Sequence, residues 1–155
     1  LGGAGYVRAA GLGFRFFRSV GPLVDAPTSR SMLYLVEDDP DNAELVKDLI
    51  GENFSLRVFR SGAELLRAMD QGAPNPEVFL LDLGLPQMDG FQLLKALRAR
   101  SAVASIPAIA VTAHAMTGDA ERAQTAGFDG YVTKPLIDET MLLAEIHRVR
   151  ACKQK

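Results

Sequence analysis

From Ser31 onward, short apolar runs alternate with longer amphipathic stretches, which is the pattern of βαβ units wound around a parallel sheet. Strands are predicted over Met32–Val36, Ser55–Phe59, Val78–Leu81, Ala108–Val111 and Gly130–Val132. Between and after them, Asp41–Ile50, Ala63–Met69, Phe91–Arg100, Gly118–Ala126 and Glu139–Arg150 read as helices. The third strand, Val78-Phe79-Leu80-Leu81, is apolar on both faces, as a central strand covered on two sides must be. Asp39-Pro40 supplies an N-cap followed by proline at the first helical position, and Asp89-Gly90 precedes Phe91, Leu93, Leu94 and Leu97 at helical spacing. The fourth helical segment is weakly apolar.

The first thirty residues break the pattern. They hold Gly2, Gly3, Gly5, Gly11, Gly13 and Gly21, with four arginines against one acid, a net +3 that leaves −5 for the rest of a chain whose total is −2. Arg8, Arg15 and Arg18 interleaved with Phe14, Phe16 and Phe17 allow a short basic amphipathic helix for a membrane surface or partner, but so many glycines oppose it. Residues 1–31 are therefore read as an N-terminal extension, flexible or beginning at a non-native start, and 32–152 as the domain. At 155 residues and 48% apolar composition the chain holds one well-buried core. The charge balance provides no basic footprint for nucleic acid, and no apolar stretch reaches the length of a membrane span. Cys152 has no partner for an intrachain disulfide, which fits a reducing, cytoplasmic setting.

In an open parallel sheet, functional groups gather at the carboxyl ends of the strands. Strand one runs into Glu37, Asp38 and Asp39, strand three into Asp82, strand four into Thr112, and strand five into Thr133-Lys134-Pro135. Each residue alone has a plain explanation: Asp39 caps a helix, Thr112 favours a strand, and Lys134 is a surface charge. Four strand ends with complementary chemistry make a stronger case together. Carboxylates about 4 Å apart repel by roughly 4 kcal/mol per pair at an effective dielectric near 20, so the cluster calls for a cation. Few hard oxygen ligands suit Mg²⁺, with Mn²⁺ an acceptable substitute. Asp82, at the middle of the sheet, is then placed to attack a phosphoryl group.

The motifs Leu35-Val36-Glu37-Asp38, Leu81-Asp82-Leu83-Gly84-Leu85-Pro86-Gln87-Met88-Asp89-Gly90, Ala110-Val111-Thr112-Ala113 and Gly130-Tyr131-Val132-Thr133-Lys134-Pro135, in that order, resemble the receiver domains of response regulators. The resemblance covers residues 31–150. It implies an α/β, doubly wound, flavodoxin-like fold: a five-stranded parallel sheet of order 2-1-3-4-5 flanked by five helices. It further implies Asp82 as phosphoacceptor, and Mg²⁺ held by Asp38, Asp82 and the Gly84 backbone carbonyl, with Glu37 reaching the metal mainly through water. Lys134 would pair with Asp82 and then with a phosphoryl oxygen, Thr112 would donate its hydroxyl to another, and Pro135 would follow a cis peptide. Tyr131 falls where the family places an aromatic switch, although a tyrosine that merely packs would occupy the same position.

Partners follow from the same resemblance: a histidine kinase or histidine phosphotransfer protein docking near Leu45, Val46 and Leu49 of the first helix, and a downstream protein target. A monomer before phosphorylation and a phosphorylation-linked homodimer are both compatible with it. Single-domain regulators and the receivers of hybrid kinases share these motifs. His114 lies near the pocket rim, and His147 reads as a surface residue of the last helix. Two rival functions use similar residues. A dehalogenase-type phosphatase needs a second aspartate two positions after the nucleophile, where this chain has Gly84. A phosphorylation-independent interaction domain would not need the complete set of pocket residues.

Overall fold

The computed structural model describes residues 30–113, 115–135 and 138–154. The expectations that fall on residues 1–29 and on His114 lie outside them. Five parallel strands, β1 (Met32–Val36), β2 (Ser55–Phe59), β3 (Val78–Asp82), β4 (Ala108–Thr112) and β5 (Gly130–Thr133), stand in the order β2-β1-β3-β4-β5. The helices are α1 (Pro40–Ile50), α2 (Gly62–Asp70), α3 (Gly90–Arg98), α4 (Asp119–Ala126) and α5 (Glu139–Lys153). This is the doubly wound, flavodoxin-like arrangement that the motifs implied.

Strand alternation sorts the core into two layers. Leu33, Leu35, Val78, Leu80, Ile109, Val111 and Val132 face α1 and α5, which contribute Ala43, Val46, Ile50, Leu142, Ile146 and Val149. Tyr34, Val36, Phe79, Leu81, Ala108 and Ala110 face α2, α3 and α4, against Leu65, Leu93, Leu94, Leu97 and Ala123. α4 puts a single residue, Ala123, into the core, and its N-cap, Gly118, makes no side-chain cap hydrogen bond.

Several boundaries differ from the pattern-based prediction. β3, β4 and β5 each run one residue further, so Asp82, Thr112 and Thr133 are the last residues of their strands. α3 stops at Arg98, where Ala99 caps it, two residues before the predicted end at Arg100. The Arg98 guanidinium turns instead to the carbonyls of Ala104, Ile106 and Gly127 and to Asp129. α5 extends three residues past Arg150 to Lys153.

Candidate functional site

Four strand ends deliver the site. Glu37 follows β1 directly and Lys134 follows β5, while Asp82 closes β3 and Thr112 closes β4. Asp82 is 6% exposed, Thr112 likewise 6%, and Glu37 1%. Asp38 is exposed at the rim. One carboxylate oxygen each from Glu37, Asp38 and Asp82 lies within 4.8 Å of the others, close enough for a single ion. The Lys134–Pro135 peptide is cis.

Lys134 is the cluster's own cation. Its Nζ donates to Asp82 Oδ2 at 3.1 Å and to Glu37 Oε2 at 2.5 Å, and its backbone N–H donates to the Thr112 carbonyl at 2.7 Å. The pairing with Asp82 was expected; the shorter one with Glu37 was not. Glu37 Oε1 accepts from the Asp39 N–H at 3.2 Å, so both oxygens of this buried carboxylate are engaged by the protein. A glutamate in place of an aspartate adds one methylene of reach, and side-chain length was the only sequence signal for this bond. Burial pushes the Glu37 carboxyl up; the lysine's hydrogen bond opposes that shift and the Asp82 charge adds to it. Burial works against the Lys134 ammonium, yet its hydrogen bonds to Glu37 and Asp82 outweigh that penalty and hold its amine above the ordinary value.

The β3–α3 connection supports Asp82 from the other side. The Gly84 N–H donates to Asp82 Oδ1 at 2.8 Å. At Gly90, a Cβ would meet the Asp82 carbonyl oxygen at 2.6 Å and Leu83 Cα at 3.0 Å, so the absence of a side chain lets α3 start hard against the Asp82 backbone. Asp89 caps that helix through the Gln92 N–H, and Gln92 returns the bond to the Asp89 N–H.

Tyr131 lies one strand over from Thr112 and on the same face of the sheet. The register pairs Ala110 with Tyr131 and Thr112 with Thr133, and Tyr131 packs beside the α2–α4 layer. Its hydroxyl is buried with no hydrogen-bond partner among the described residues. Burial, reinforced by the Asp119 charge, raises its pKa. On α1, Val46 is buried and Leu49 packs against the core, which leaves Leu45, 39% exposed, as the apolar residue offered outward. His147 is exposed on α5, its ring 5.8 Å from that of Phe54.

With three carboxylates, one lysine and a hydroxyl residue at one sheet edge, the site can take up a divalent cation and a phosphoryl group together. The family model of the response regulator receiver domain matches residues 33–147. The chain belongs to that family. Among its relatives is the polar-differentiation response regulator DivK of Brucella ovis, 37% identical over 103 residues, which cover 66% of this chain and 82% of that protein. The structure of a sensor protein from Polaromonas sp. JS666 is 29% identical, with a TM-score of 0.71, and the match covers 80% of this chain and 98% of that one. The signal receiver domain of a signal transduction histidine kinase from Syntrophus aciditrophicus is 27% identical, with a TM-score of 0.69 and coverage of 79% and 91%. This receiver domain is thus a two-component signalling module. No helix among its described residues is long and apolar enough to cross a membrane.

Proposed function

We propose that this receiver domain takes a phosphoryl group from a phosphohistidine onto Asp82 in the cytoplasm and answers by reshaping a protein-binding face. The observation that carries the reading is the buried Asp82 carboxylate, in contact with Lys134 at 3.1 Å and within reach of Glu37 and Asp38. The donor is a histidine kinase or a histidine phosphotransfer protein, received near Leu45, and the listener is a downstream protein.

Asp38, Asp82 and the Gly84 carbonyl would hold Mg²⁺, with Glu37 behind them. Bound there, the ion would offset the charge of the acids and supply Lewis-acid charge compensation for an incoming phosphoryl group. The chain's own groups do the rest. An Asp82 oxygen attacks phosphorus in line as the phosphorus–nitrogen bond of the donor imidazole breaks. The Lys134 ammonium balances charge on one phosphoryl oxygen and the Thr112 hydroxyl donates to another. Drawn toward that oxygen, Thr112 alters the space available to Tyr131 on the same sheet face, and the α4–β5–α5 surface follows. The protein acts as a phosphoacceptor that loses its own phosphoryl group, rather than as an enzyme turning over phosphomonoesters.

Incubation with Mg²⁺ and a small phosphodonor should add about 80 Da to the intact chain, the mass of one phosphoryl group, and Asp82→Asn should abolish the gain. An unmodified wild-type mass with every donor tried would instead favour a phosphorylation-independent interaction domain.

A further inference from the structure

β5 is the outermost strand on its side of the sheet, so half of its backbone groups point away from β4. The Lys134 N–H points inward to Thr112, and alternation sends the Tyr131 N–H toward the open edge. There it meets a side chain of α5: Glu145 Oε1 accepts from the Tyr131 N–H at 3.2 Å. Arg148 grips the same carboxylate twice, Nε to Oε2 at 2.9 Å and Nη2 to Oε1 at 2.7 Å. Its Nη2 also donates to the Asp129 carbonyl at 2.6 Å. Two backbone groups flanking Gly130 are therefore tied to one helix through one ion pair.

The residue between them makes this possible. A Cβ at Gly130 would come within 2.5 Å of Glu145 Oε1, so a side chain there would push the carboxylate away. Glu145 is 21% exposed and Arg148 is 52% exposed, so the carboxylate is the more sheltered partner of the pair. A bidentate arginine fixes a carboxylate's plane better than a single contact does.

We propose that Glu145, oriented by Arg148, is a positioning residue for Tyr131, latching its backbone to α5 and so setting how readily its ring changes place. The proposal rests on the switch reading given above. The ring faces the α2–α4 layer beside Thr112, whereas the latch holds the backbone of the same residue from the open sheet edge. Loosening the latch lowers the resistance of the Tyr131 segment to displacement without touching the acidic cluster.

Amide hydrogen exchange and aromatic NMR of the full chain test this, in wild type, Glu145→Gln, Glu145→Ala and Arg148→Ala, each with and without Mg²⁺ and beryllofluoride as a phosphoryl mimic. In Glu145→Ala, exchange of the Tyr131 amide should quicken about tenfold, the loss of one net hydrogen bond, with the Val111 and Val132 amides unchanged. Glu145→Gln keeps an acceptor and should restore most of that protection, while Arg148→Ala should lie between. The Tyr131 ring resonance of Glu145→Ala, without the mimic, should move toward the position that wild type reaches with it. Unchanged Tyr131 exchange in the alanine variant would overturn the latch, as would loss of protection spread evenly over β4 and β5 or a ring response identical to that of wild type. A wild-type ring that ignores beryllofluoride would count against the switch reading, and the exchange rates would still decide whether Glu145 holds the Tyr131 backbone.

Discussion

Gln87 has a φ of 69°, the one positive value among the described non-glycine residues, in the exposed turn between β3 and α3. A side chain in that region costs about 1–2 kcal/mol, part of which glycine returns through its larger unfolded-state entropy, so Gln87→Gly should stabilise the domain by roughly 0.5 kcal/mol. The urea midpoint measures it. Tyr131 offers a contrasting test. Its buried hydroxyl has no partner among the described residues, so Tyr131→Phe should leave stability unchanged or raise it by up to about 1 kcal/mol. A loss above about 1 kcal/mol in chemical denaturation would mean that the hydroxyl is bonded after all. At this scale the sequence identified the polar residues of the site and the order in which the strands supply them. It could not reveal that Lys134 lies closer to Glu37 than to Asp82, because that depends on rotamers fixed by burial.

Among the elements, α3 is the one whose start bears directly on Asp82. Asp89 and Gln92 satisfy each other's backbone N–H groups, and Gly90 lets the first turn rest on Asp82 and Leu83. Asp89→Ala should cost about 1 kcal/mol in the urea midpoint, the usual size for one lost cap, because Gln92 can still accept from the backbone N–H of residue 89. Such helix starts were legible, since Asp39-Pro40 and Asp89-Gly90 carry local chemistry that no tertiary contact need supply. Ends were less so. α3 stops where Arg98 is drawn to carbonyls up to 29 residues away, and the three strands that end in Asp82, Thr112 and Thr133 looked shorter because their last residues are polar.

For the whole molecule, the alternation of apolar strands with amphipathic helices was enough to predict the layered α/β fold, because both faces of β3 had to be covered. Strand order came from the motifs instead, since periodicity carries no information about which strands are neighbours. Global stability should also reflect the ion pair at the β5 edge. Arg148, through its hydrogen bonds, is the main cause holding the Glu145 carboxyl below its ordinary 4.5. The folded state thus binds that proton more weakly than the unfolded chain does. This contribution is full above about pH 4.5 and is lost as pH falls through the lower, folded-state value. Urea midpoints taken down this range should fall, and Arg148→Ala should flatten the part that belongs to Glu145. An identical acid profile in the variant would remove the pair from the account.

The division of the core between two helix layers also bears on the order in which a ribosome would release the chain. The layer of α2, α3 and α4 can close over its face of the sheet once α4 has emerged, but Leu33, Leu80, Ile109 and Val132 on the other face await Leu142, Ile146 and Val149 of the last helix. Arg150 then bonds Ser31, at a separation of 119 residues, when almost the whole domain has been synthesised. Until that moment a nascent chain carries a half-roofed sheet, a surface that attracts chaperones and neighbouring chains alike.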